Sequence, residues 1–128
     1  MKLRRRRRRA PEPPTAEPTG VEVSRVGDAE VWAVEGEIDI ATKSRLQAVL
    51  DAVPRGDAPL VLDLAGVTFM DSTGISAVLA IERAAGESGR PLAIVCPEGP
   101  VRLIFAVTGV EEDLPLYLTR AEALEAKG

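Results

Sequence analysis

Two short, nearly continuous apolar runs, Pro59-Leu60-Val61-Leu62-Asp63-Leu64 and Pro91-Leu92-Ala93-Ile94-Val95-Cys96, constrain this chain more than any other feature. Each is too short for a buried helix and lacks the polar alternation of a strand with one wet face, so each reads as a strand covered on both faces. Between them, Ile75, Val78, Leu79 and Ala85 share one helical face, and the helix should end near Gly86 or Gly89. A buried strand, a helix and a second buried strand demand parallel pairing, because parallel neighbours need a crossover of this length.

The flanking segments extend the same pattern. Val21, Val23 and Val26 alternate with polar residues, and Val31, Ala33 and Glu35 oppose Trp32, Val34 and Gly36, with Gly27-Asp28 between the two runs. This is the pattern of a β-hairpin. After Asp39, Leu46, Val49, Leu50 and Val53 repeat at i, i+3, i+4, i+7 until Pro54 and Gly56, an amphipathic helix. Val101, Ile104, Phe105 and Thr108 form a third helix ending at Gly109. A strand from Leu114 to Leu118 and a helix from Arg120 to Ala126, capped by Thr119, complete the chain. The expected fold is an α/β mixed sheet, β-β-α-β-α-β-α-β-α, in one domain over residues 21–128, with the Pro59–Leu64 strand central. Trp32 and Tyr117 fall in strands, where aromatics pack, and Cys96 reads as a small buried hydrophobe.

Residues 1–20 are different. They hold six consecutive arginines, Arg4 to Arg9, and four of the ten prolines, a composition that buries almost no apolar surface and is expected to be a disordered tail. Such a tail is either a solvated extension or a basic arm for anionic lipid, nucleic acid or the acidic body of another copy. The net charge of −4 hides the asymmetry: residues 1–20 carry seven Lys/Arg against two Glu, leaving nine against eighteen acids, or −9, in residues 21–128. A domain this acidic repels phosphate backbones, which argues against direct nucleic acid binding by the folded part and for a protein partner.

With no histidine and Cys96 as the single cysteine, the chain lacks the groups for a disulfide, a Cys/His zinc site or a Ser-His-Asp catalytic arrangement. No EF-hand spacing or phosphate-binding glycine loop is present. The expectation is a non-enzyme with no catalytic residue, no metal site and no cofactor. No apolar run approaches the roughly 20 residues of a transmembrane segment. The basic start leads into polar, proline-rich sequence rather than a secretory core, so a cytoplasmic location is expected.

In α/β sheets, functional groups collect where strands end and helices begin. Two loops qualify, Glu37-Ile38-Asp39 and Thr68 to Gly74. Ser72 falls just before the second helix, where backbone N–H groups and the helix dipole would tolerate a phosphate. A phosphate there adds about −1.5 to −2 charge and breaks a docked interface without any catalytic residue. Asp71, Ser72 and Thr73 are also simply favoured helix caps, a reading that needs no function. Thr73 is a stiffer, β-branched competitor, and Ser44, Ser76 and Ser88 lie in helices or at their ends. Of Phe69 and Met70, alternation sends one into the core and leaves the other for a partner.

The stretch V-L-D-L-A-G-V-T-F-M-D-S-T-G-I-S-A-V-L-A resembles the central signature of the STAS family, in which a buried strand leads through an Asp-Ser-x-Gly loop into a helix. G-E-I-D-I-A-T at Gly36 to Thr42 resembles the family's strand-to-helix turn, and L-I-F-A-V-T-G-V followed by L-P-L-Y-L-T-R-A-E-A-L resembles its closing elements, so the likeness covers residues 21–126. The resemblance to the family's anti-sigma factor antagonists implies phosphorylation at Ser72 by a partner that is both anti-sigma factor and serine kinase, and restoration by a PP2C-type phosphatase. The unphosphorylated form would hold the anti-sigma factor and release sigma factor. The implied partner-binding residues are Asp39, Met70, Asp71, Ser72, Thr73 and Gly74, with Asp71 and Asp39 positioning the loop. Two alternatives stand beside this one: a non-switching STAS subunit of a membrane transport system, and an aspartyl-phosphate receiver built on Asp63, which lacks a later lysine between Lys43 and Lys127.

Overall fold

A computed structural model describes residues 19–126; of the expected tail only Thr19 and Gly20 fall within them, as a turn leading into the sheet. β1 (Val21–Val26) and β2 (Ala29–Ile38) pair antiparallel, with Val26 opposite Ala29 across a Gly27-Asp28 loop. Gly27 has φ +59°, the left-handed conformation that a two-residue hairpin loop requires. There follow α1 (Ser44–Ala52), β3 (Leu60–Met70), α2 (Ser72–Ser88), β4 (Leu92–Val95), α3 (Pro100–Val107), β5 (Leu116–Tyr117) and α4 (Arg120–Ala126). The five strands lie in sequence order, with every pair after the hairpin parallel, so β3 is central. The element order is the one expected from periodicity.

The sheet has two unequal faces. Leu60, Leu62 and Leu64 of β3 join Trp32, Val34 and Ile38 of β2 beneath Leu46 and Val49 of α1, Val78 and Ile81 of α2 and Phe105 of α3. Three consecutive crossover helices on one side are what single-handed connections between sequential strands produce. Among the described residues the other face is covered only by the short α4, whose Ala123 sits over Ala29, Val31, Val61, Ala93 and Val95. Tyr117 packs on this smaller cluster and Trp32 belongs to the main one, so both aromatics pack as their strand positions implied. Thr119 caps α4, its Oγ1 accepting the N–H of Glu122 at 3.1 Å.

Two boundaries differ from the sequence reading. β3 does not stop at Leu64 but runs to Met70, because register shifts opposite Ala33/Glu35 and Gly36/Glu37 insert extra residues. Those bulges make Leu64, Val67 and Met70 the buried positions, a spacing of three that conceals a strand. The last strand is only Leu116–Tyr117. Leu114, expected within it, turns into the main core instead.

Arg90 stitches the assembly together. Only 4% exposed, it follows α2 and donates to the carbonyls of Ala58 (2.6 Å), Ala52 (3.2 Å) and Val53 (3.0 Å) and to Glu30 Oε1 (3.0 Å). Trp32 Nε1 donates to the same Glu30 oxygen at 2.9 Å. Burial by itself raises the Glu30 carboxyl, but the Trp32 and Arg90 hydrogen bonds and the charges of Arg90 and Arg25 outweigh it and hold the group below the usual carboxylate range.

Candidate functional site

Parallel pairing of β2 with β3 ends at Ile38 opposite Met70, so the two loops singled out in the sequence leave the sheet side by side. The Asp71 N–H donates to the Ile38 carbonyl at 3.1 Å, tying the second loop to the first. Within the first, Asp39 Oδ1 accepts from the N–H of Ala41 (3.0 Å) and the N–H of Thr42 (3.1 Å), while Thr42 Oγ1 accepts the Asp39 N–H at 3.0 Å and donates its proton to the Glu37 carbonyl at 2.6 Å. Asp39 thus shapes its own turn. α1 begins at Ser44, after that turn rather than directly after Asp39.

The cap of α2 is Asp71, not the Ser72 hydroxyl. Asp71 is extended (φ −99°, ψ −169°), and its Oδ1 accepts from the N–H of Thr73 at 2.9 Å and of Gly74 at 3.3 Å. Ser72 is the first residue of the helix and is exposed. The expectation that backbone N–H groups await a phosphate on Ser72 therefore needs correcting: the Thr73 and Gly74 donors are already engaged by a carboxylate. A phosphate on Ser72 must compete with Asp71 for them or remain in solvent beside a like charge.

Met70 is 1% exposed and lies in the main core, so it is not a surface contact. Phe69, 46% exposed, takes the outward position that alternation had left open. Gly74 is buried as well, and its role is internal packing: a Cβ there would collide with Met70 Cγ and lie 2.9 Å from Ile38 Cγ2. Gly74 is not among the glycines with positive φ, so close packing rather than backbone freedom accounts for it. Thr73 and Asp39 are half-buried.

Ile40, 68% exposed at the tip of the Asp39 turn, is a surface residue that the sequence reading passed over. Its signal was present, since it is a large apolar side chain inside a turn where polar residues are usual. Ile40 and Phe69 are the large apolar side chains exposed on the two adjoining loops and the strand end between them, where Glu37, Thr68 and Ser72 are exposed as well.

Asp63, the residue on which a receiver site would be built, sits within β3 rather than at its end. It is held by Arg120 of α4 at 2.8 Å and accepts the Ala65 N–H at 2.9 Å. Among the described residues no three His, Cys, Asp or Glu side chains are grouped to hold a metal ion, and no helix is long and apolar enough to cross a membrane.

A family model described as Mlab, STAS domain, matches residues 21–119, which span all five strands and the first three helices. The chain belongs to the STAS family. This STAS domain is 31% identical to an anti-sigma factor antagonist from Mycobacterium paratuberculosis of known structure, with a TM-score of 0.74 over 83% of this chain and 91% of that one. It is 27% identical over 93 residues to the anti-sigma F factor antagonist of Paenibacillus polymyxa, covering 71% of this chain and 80% of the relative. The fold is also that of unphosphorylated SpoIIAA, an anti-sigma factor antagonist, at 20% identity and a TM-score of 0.61 over 83% and 96% of the two chains.

Proposed function

We propose that this STAS domain, residues 21–128, is an anti-sigma factor antagonist that works in the cytoplasm by binding rather than by catalysis, with Ser72 as the residue through which binding is switched. The observation that carries this reading is the exposed Ser72 hydroxyl on the first turn of α2, in a loop that follows the exposed Phe69 and adjoins the turn bearing the exposed Ile40. A partner that docks across both loops covers these apolar groups and desolvates Ser72 with them. A hydroxyl tolerates that environment. A phosphate of about −1.5 to −2 charge, beside the Asp71 carboxylate that already holds the nearby N–H groups, does not.

In this reading the anti-sigma factor is also the serine kinase, a PP2C-type phosphatase resets the switch, and Asp39 and Asp71 fix the two loops on which contact depends. Thr73 contributes its accessible part to the contact. Met70 and Gly74 act from beneath, by holding the loop in place.

The test is phosphorylation by the cognate kinase with Mg-ATP, followed by measurement of affinity for it. Ser72→Ala should abolish labelling and keep binding, whereas Ser72→Asp should weaken binding at least about tenfold, equivalent to about 1.4 kcal/mol. Labelling that survives in Ser72→Ala removes Ser72 as acceptor. Equal affinity of all three proteins would favour a non-switching STAS subunit.

A further inference from the structure

The face of the sheet under α4 is only partly covered. The seven-residue α4 shields Ala29, Val31, Val61, Ala93 and Val95, and the rest of that face, where β1, β2 and β3 run on, forms a groove of about 410 Å³. Cross-strand register sets what lines it. One row is Glu22, Ala33 and Asp63; the next is Gly20, Glu35 and Gly66. The floor is therefore small, at Ala33 and at Gly66 on the β3 bulge, and carboxylates stand along it. Glu37 continues the same face of β2 beyond Glu35.

Arg120 occupies Asp63, but among the described residues Glu22, Glu35 and Glu37 have no ion-pair partner. Arg45 lies against Gly36 and Gly20 and donates to the carbonyls of Glu35 (2.9 Å) and Glu37 (3.4 Å) rather than to a carboxylate. The groove is a concave, acidic, small-floored surface that no described residue covers.

We infer that its occupant is the arginine run Arg4–Arg9 of the same chain. Three observations converge on that segment. The groove is acidic within a body of charge −9, and residues 1–20 carry seven of the sixteen Lys/Arg. Gly20 is itself a wall of the groove, and the chain turns at Thr19-Gly20 as it enters β1, so the tail starts at the site it would fill. Between Arg9 and Gly20 the chain can span roughly 35 Å when extended, ample to double back along a groove a few residues long. Tethering at this length presents the arginines to the groove at an effective concentration on the order of millimolar, which lets individually weak pairs persist. The strap covers the acidic face, whereas Ser72 lies on α2, which lines no part of the groove.

The experiment uses the full chain, isotope-labelled, with Ala10→Cys carrying a nitroxide; the buried Cys96 is shielded from the reagent. At low salt the amides of Glu22, Ala33, Glu35 and Gly66 should lose about half their intensity or more, and roughly 0.5 M NaCl should restore them. Glu22→Gln combined with Glu35→Gln and Glu37→Gln should restore them without salt. As a label-free check, replacing the arginines at positions 4–9 with serine should shift the same amides. Unaffected groove amides, or broadening centred elsewhere, would overturn the assignment. So would equal broadening in a mixture of spin-labelled, isotope-free protein with isotope-labelled, spin-free protein, because the occupant would then be the tail of a second copy.

Discussion

Asp71 Oδ1 accepts the backbone N–H of Thr73 at 2.9 Å, so the carboxylate before Ser72, rather than the serine hydroxyl, closes the N-terminus of α2. Asp71→Ala should cost about 1 kcal/mol in urea unfolding, the usual loss for an N-cap. Asp71→Asn keeps an oxygen acceptor and should lose clearly less. In protein phosphorylated at Ser72 the Asn variant should approach or exceed the parent in stability, since its cap does not repel the phosphate. Identical losses for Ala and Asn would mean that the carboxylate charge, and not the cap hydrogen bonds, makes the contribution.

Gly74 lies against Met70 and Ile38, leaving no room for a methyl group. Gly74→Ala should destabilise by about 1–3 kcal/mol, the range for overpacking a close-packed core. Trimming the opposing side chain with Met70→Ala should make the pair non-additive, the double variant being more stable than the sum of the single losses implies. Strict additivity in chemical denaturation would show that the crowding is relieved elsewhere.

Arg90 is a buried cation satisfied by three carbonyls and Glu30. Arg90→Ala strands those acceptors and should cost about 3–5 kcal/mol, the range for breaking a buried ionic arrangement by removing one partner. The Glu30 carboxyl is held below its unfolded value of 4.5. Its contribution is therefore present in full above that value and is lost as pH falls through the lower, folded-state pKa. Glu30→Gln should be less stable at neutral pH and should show a shallower loss of stability on acidification. Parallel pH–stability curves for the two proteins would count against this linkage.

Burial pushes the Cys96 thiol up to about 11, the Arg102 charge opposing and Glu111 and Glu98 adding to the shift. At about pH 8 the native protein should react with a thiol reagent many-fold more slowly than the same protein in denaturant. Comparable rates would mean that the end of β4 opens readily.

The alternation of β1 and β2, the apolar runs of β3 and β4 and the helical spacing of Leu46, Val49 and Val53 were legible because each reports a face turned to one core. The D-S-T-G stretch was legible as a helix start for a similar local reason. Asx and hydroxyl side chains announce helix termini, but which of three adjacent candidates makes the cap depends on backbone angles that the sequence does not display.

Sequence by itself therefore determined the order of elements, the parallel crossovers and the separation of a basic tail from an acidic body, since periodicity and charge are local properties. Tertiary structure decided the rest of the site. The bulges of β3 turned Met70 inward and left Phe69 out, and pairing of Ile38 with Met70 brought the Asp39 turn beside Ser72. The single short α4 left an acidic groove beside the chain's own entry point. Those outcomes depend on register between strands far apart in the chain, and no local pattern encodes a register.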